Sequence, residues 1–172
     1  APSGGMGQLH PENSQMMMDW IGAVYYWVKK GKDPKSSWTW KYPVLEMKVD
    51  KSHPISHGVP ETFNLQDEYF NFFIDAEGRN PGSDQVTFLH TTNAPSHRSD
   101  MEKKENWRDQ AVYWSFTREN GGRSVAMTSA HMWHTWANPH FFQSFANSIF
   151  WALEMEVPED GVDIATPTQE EL

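Results

Sequence analysis

Residues 124–153 read SVAMTSAHMWHTWANPHFFQSFANSIFWAL. Ser124 to Thr128 is a short extended run, and Ser129 to Ala137 is a loop crowded with His131, Trp133, His134 and Trp136. Asn138 and Pro139 then open a helix. The Asn side-chain oxygen accepts from the free amides of a first turn, and Pro fits the first helical position, where no amide is needed. Phe142, Phe145, Ile149 and Leu153 recur at helical spacing and predict its buried stripe. Strand, loop and helix in succession are the unit of an α/β fold, and open α/β sheets bind ligands in the crevice beyond the carboxyl ends of their strands.

Upstream, Gln110 to Arg118 and Ser124 to Thr128 read as strands joined around Asn120-Gly121-Gly122, a hairpin signal. Residues 92–109 form a polar loop, preceded by a short apolar strand from Gln85 to Thr91 of the kind buried in a central sheet. Ala76 to Ser83 is a turn and Tyr69 to Ile74 an aromatic strand. Trp38, Trp40 and Tyr42 alternate, as do Leu45, Met47 and Val49 beyond Pro43, so the chain is extended there with a break at the proline. His53 to Pro60 is a proline-punctuated loop whose two histidines are structural. Near the start, Asn13 or Ser14 caps a predicted helix that runs to Lys30 and stops at Gly31, with Met16, Trp20, Val24 and Val28 on one stripe. The expected organisation is one domain over residues 1–157 and an acidic tail over 158–172.

The 172-residue chain has a formal net charge of −9, which argues against nucleic acid or an anionic membrane as a partner, since both require clustered Lys and Arg. No apolar run approaches the ~20 residues that span a bilayer. There is no cysteine, so disulfides, thiolate nucleophiles and Cys-ligated metals are excluded. Aromatic residues make up 14% of the chain, with nine Trp. Most such rings belong in a core, but Trp also lines sugar pockets, having an apolar face and a hydrogen-bonding rim.

Several segments, in order, resemble one family. They are Gly7-Gln8-Leu9-His10 with Asp19-Trp20-Ile21-Gly22, His53-Pro54-Ile55 with Gly58, Asp67-Glu68-Tyr69, Val112-Tyr113-Trp114 with Gly122-Arg123, and the run from Thr128 through His131, His134, Trp136 and Pro139 to Asn147-Ser148-Ile149-Phe150-Trp151. Together they are similar to ThuA-like (trehalose-utilisation) proteins, related in fold to class I glutamine amidotransferases. The resemblance implies an α/β, flavodoxin-like sheet with flanking helices and a role around sugars such as trehalose or keto-sugars. It begins near the middle of the family domain, so the first βαβ units are expected to be missing and the chain to be a fragment or a homo-oligomer that completes its core with another subunit. The related amidotransferases carry a Cys nucleophile on a strand-to-helix turn. Here that turn offers Met6, Gly7, Gln8, Leu9 and His10, so glutaminase chemistry is excluded.

The resemblance puts His10 on a turn corresponding to the 131–136 loop, so His10, His131 and His134 are expected to converge, with Glu68 joining them. Those residues suit general acid/base work on a small carbohydrate, because histidine titrates near neutrality. His10, His131 and His134 are also chemically sufficient for a divalent metal such as Zn²⁺, Mn²⁺ or Ni²⁺. Arg98 is a candidate clamp for a phosphate or carboxylate, with a surface salt bridge to Asp100 or Glu102 as its plainer reading. Trp114, Trp133 and Trp136 are candidate stacking surfaces. A glycosidase would need two separated carboxyl groups, and Asp67 beside Glu68 in a strand would point to opposite faces.

Overall fold

The computed structural model describes residues 11–24, 38–41, 43–71, 84–95 and 97–172. Helix α1 spans Pro11–Ile21 and helix α2 Pro139–Ala152. The strands are β1 (Trp38–Trp40), β2 (Val44–Val49), β3 (Thr62–Gln66), β4 (Tyr69–Asn71), β5 (Val86–Pro95), β6 (Trp107–Thr117) and β7 (Arg123–Met127). Five of them form one sheet in the order β3-β2-β5-β6-β7, while β1 and β4 pair in a separate ribbon. The class is mixed α/β, but every described strand pair is antiparallel. That corrects the flavodoxin-like expectation of a parallel sheet. The reason lies in the connections: residues 50–61, 97–106 and 118–122 contain only turns and short 3₁₀ segments, whereas a parallel pair needs a crossover, usually a helix.

The 120–122 hairpin forms as expected, with Gly121 at φ 83° and the Arg118 N–H bonded to the Gly122 carbonyl at 2.8 Å. β5 runs past Thr91 to Pro95, where a polar loop was expected, because β6 starts early enough to pair with it as far as Pro95↔Trp107. The ladder is irregular around Leu89 and Val112, whose neighbours pair and they do not. The freed carbonyls serve elsewhere: Leu89 O accepts from Asp50 N and Val112 O from Thr128 N, both at 2.9 Å. The Thr128 bond ties the start of the His/Trp loop to β6.

Both helices differ from the sequence expectation. α1 ends at Gly22, whose positive φ of 70° suits a helix terminator, so the helix does not run to Lys30. Residues 25–37, including Gly31, lie outside the described residues, as do residues 72–83. Met16 and Trp20 are exposed, and Ile21 packs with Ala23 on Trp114.

In α2 the Asn138 cap is present, its Oδ1 accepting from His140 N and Phe141 N. The predicted stripe is not the buried face, however. Ile149 and Leu153 are exposed, while Phe141, Ser144, Asn147 and Ser148 are buried. Hydrogen bonding, not apolar area alone, chooses this face. Ser144 Oγ meets His90 Nε2 at 3.1 Å, and Asn147 Nδ2 donates to the carbonyls of Ile55 at 2.9 Å and His57 at 2.8 Å. A reading by apolar periodicity cannot see such a seam.

The chain beyond α2 is a strap laid on the protein. Asn147 Oδ1 accepts from Val162 N at 2.9 Å, and Gln143 Nε2 donates to Val162 O at 3.0 Å. Gly58, at φ 72°, leaves room for the Asp160 carbonyl, which any side chain there would strike. The strap therefore needs glycine at 58.

His90 is 2% exposed, between the rings of Phe63 and Tyr113 and the hydroxyl of Ser144. Burial away from water pushes its pKa from 6.5 down to about 3. The unfolded chain therefore takes up a proton below pH 6.5 that the folded chain refuses. Stability should fall by about 1.4 kcal/mol per pH unit from this residue alone as pH drops below 6.5, until about pH 3. Urea unfolding at pH 7, 6 and 5 checks this: the wild-type profile should be steeper than that of His90→Gln by that amount, and parallel profiles would contradict it.

Candidate functional site

Between β3 and β4 the chain bends at Asp67 and Glu68, both buried to within a tenth of their surface. Asp67 Oδ1 accepts from Glu68 N at 2.6 Å and Met132 N at 3.1 Å. Its Oδ2 accepts from Ala130 N at 2.6 Å and from the Thr135 hydroxyl at 2.7 Å. One carboxylate thus collects the donors of a loop more than sixty residues away in sequence. Charge-assisted bonds of this kind are each worth roughly 1.5–3 kcal/mol when buried. Both oxygens are engaged, so Asp67 has no free valence for chemistry. Its work is to hold the loop.

The loop held this way presents His131 to Glu68. His131 Nδ1 and Glu68 Oε2 are in direct hydrogen-bonding contact, with the carboxylate 10% and the imidazole 55% exposed. Since the carboxylate can only accept, Nδ1 donates to it, and in a neutral ring Nε2 is then the acceptor. That is the arrangement of an oriented proton acceptor. Phe70 flanks the ring, with centroids 6.0 Å apart. Below Asp67 and Glu68, with Tyr69, Thr128 and Ser129 in its wall, is a cavity of about 10 Å³, which has room for no organic ligand.

His134 turns the other way. Its Nε2 lies 3.1 Å from the Gln66 carbonyl, and it borders a separate cleft of about 300 Å³ with Leu65, Thr135, Asn138 and Gln169. Trp133 is 57% exposed and stands edge-on to His134. The structure thus brings Glu68 to His131 and sets His134 on the Gln66 side of the same loop. No group of three His, Asp or Glu is gathered as a metal would require among the described residues. His10 lies outside them.

With that geometry in place, the family model for trehalose utilisation (ThuA) matches residues 4–152. The chain belongs to the ThuA family. A solved ThuA-like protein from Parabacteroides merdae ATCC 43184 has a similar structure, with a TM-score of 0.52 and 16% identity over 89% of this chain and 54% of that one. At that identity the likeness is one of fold, and this ThuA chain spans about half the length of its neighbour. No curated protein matches it.

Two of the tryptophans expected to stack on a ligand serve this ThuA domain's interior instead. Trp114 is fully buried, its Nε1 donating to Ile21 O at 2.7 Å, because its β6 position faces inward against α1. Trp136 packs edge-on against Phe141 and Phe145 and belongs to the rim of the main core. Arg98 is exposed in the turn Arg98–Asp100, with no hydrogen bond or ion pair to Glu68 or His131 among the described residues. No helix of the described residues is long and apolar enough to cross a membrane.

Sequence reasoning gives Asp67 no role of its own. The one available signal is its place beside Glu68 at the end of the alternating Phe63 and Leu65, where a buried carboxylate must find donors.

Ala130 sits at φ 86°, a conformation that favours glycine, while its N–H reaches Asp67. Ala130→Gly should relieve that strain and raise stability by about 1 kcal/mol. Urea denaturation measures it; an unchanged or lowered midpoint would show that the loop is not strained there.

Proposed function

We propose that this ThuA-family domain acts on a small carbohydrate, a trehalose or keto-sugar derivative, at the 131–134 loop. The observation that supports the reading best is the pairing of a buried carboxylate, Glu68, with an exposed imidazole, His131. In this reading Glu68 orients the ring and stabilises the imidazolium that forms when Nε2 takes a proton from a sugar hydroxyl or from carbon beside a carbonyl. Trp133 offers its exposed face to the sugar's C–H side. His134 binds a further hydroxyl, and His10 is the remaining proposed member of the set. Arg98 is proposed to meet an anionic substituent of the ligand.

A second reading is a non-catalytic sugar-binding module. The exposure of Trp133 favours it, since stacking needs no proton transfer.

Incubation with trehalose and a keto-derivative of it, followed by NMR of the sugar, separates the two. The enzyme reading expects turnover that Glu68→Gln and His131→Ala each lower by about 10²-fold, with binding by tryptophan fluorescence retained. Binding that Trp133→Ala abolishes, without turnover, favours the module. Neither binding nor turnover with any sugar overturns both.

A further inference from the structure

We infer that the cleft beside His134 is a subsite for one neutral sugar ring, and that Gln169 of the C-terminal strap sets its selectivity. The inference rests on the sugar-directed reading above and goes beyond it by naming a second pocket, a residue outside the 4–152 family match and the charge class of the ligand.

The cleft, about 300 Å³, lies at the lower end of the volumes that hold small ligands. Leu65, Ala137 and Pro139 give it an apolar floor, and Gln66, His134 and Gln169 a polar margin. Among the described residues, no Lys, Arg, Asp or Glu lines it. A phosphate or carboxylate would find no counter-charge there. Nor would it find the first amides of α2, because His140 N and Phe141 N already donate to Asn138 Oδ1, each at 3.1 Å. What is left suits alternating C–H and O–H groups. His134 Nε2 must carry hydrogen to face the Gln66 carbonyl, so its Nδ1 is an acceptor for a hydroxyl. The Gln169 amide supplies both a donor and an acceptor.

The backbone near Gln169 is tied on both sides, while its side chain is exposed. Upstream, the strap is bonded to α2 through Val162. Around it, Glu171 Oε2 accepts from Thr168 N at 2.8 Å and from Thr168 Oγ1 at 3.1 Å, closing a turn. A turned backbone of this kind keeps the exposed Gln169 side chain at the edge of the cleft, where it can meet a ligand.

Isothermal titration of glucose, trehalose and glucose 6-phosphate into the full chain and its Gln169→Ala variant tests the proposal. The expected result is that glucose binds the full chain, that Gln169→Ala weakens it about fivefold, the worth of one neutral hydrogen bond, and that glucose 6-phosphate binds no more tightly than glucose. Glucose binding unchanged in Gln169→Ala would overturn the role of the strap and leave the sugar reading standing. Tighter binding of glucose 6-phosphate would overturn the neutral class. Binding of none of the three would overturn the subsite, while turnover of the keto-derivative of trehalose would still uphold the sugar reading.

Discussion

A buried carboxylate without donors is among the costliest things a fold can contain, and Asp67 is 5% exposed. Its oxygens have one solution here: the backbone amides of Glu68, Ala130 and Met132 and the hydroxyl of Thr135. Satisfying them fixes where the 128–137 segment crosses the β3–β4 bend. Two further contacts follow from that crossing, because His131 meets Glu68 and His134 meets the Gln66 carbonyl only if the loop is pinned between them. The positive φ of Ala130 shows that the backbone is bent to the carboxylate's demand, not to its own preference.

Antiparallel pairing changes how the site is made. In a parallel sheet, a crevice opens beyond the strand ends because helices cross over on either face. Here the loop after β7 folds back across the sheet to the β3–β4 bend at the far edge, bypassing β2, β5 and β6 in the strand order. The long reach explains why so many tethers are needed, and why α2, entering straight after the loop, is capped by Asn138 with its Nδ2 donating to Asn64 O of β3 at 3.1 Å. The cap serves the helix and the docking at once.

Local signals were legible in the sequence where one residue type meets one local demand. Asn138 and Pro139 announce α2, Gly121-Gly122 the hairpin, and the alternation of Leu45 and Met47 a strand with one buried face. Glu68, His131 and His134 could be picked out as chemically able, and the first two do meet. The failures share a cause: long-range polar contacts leave no periodic trace. The apolar stripe of α2 lost to the Ser144 and Asn147 seam, Trp114 was drawn inward by its place on β6, and Asp67 gained its importance from partners in a distant loop. Family likeness carries a fold's name more readily than the pairing within it, whereas the short connections carry the antiparallel direction of the sheet.

Amide hydrogen exchange of Ala130 and Met132, compared between the wild-type chain and Asp67→Asn, tests the pinning of the loop most directly. The amide side chain keeps the shape but turns a donor toward a donor. Protection at those two amides should drop by about 100-fold, with the β6 amides protected as before. Equal protection at Ala130 and Met132 in both proteins would contradict the account, since the loop would then be held without the carboxylate.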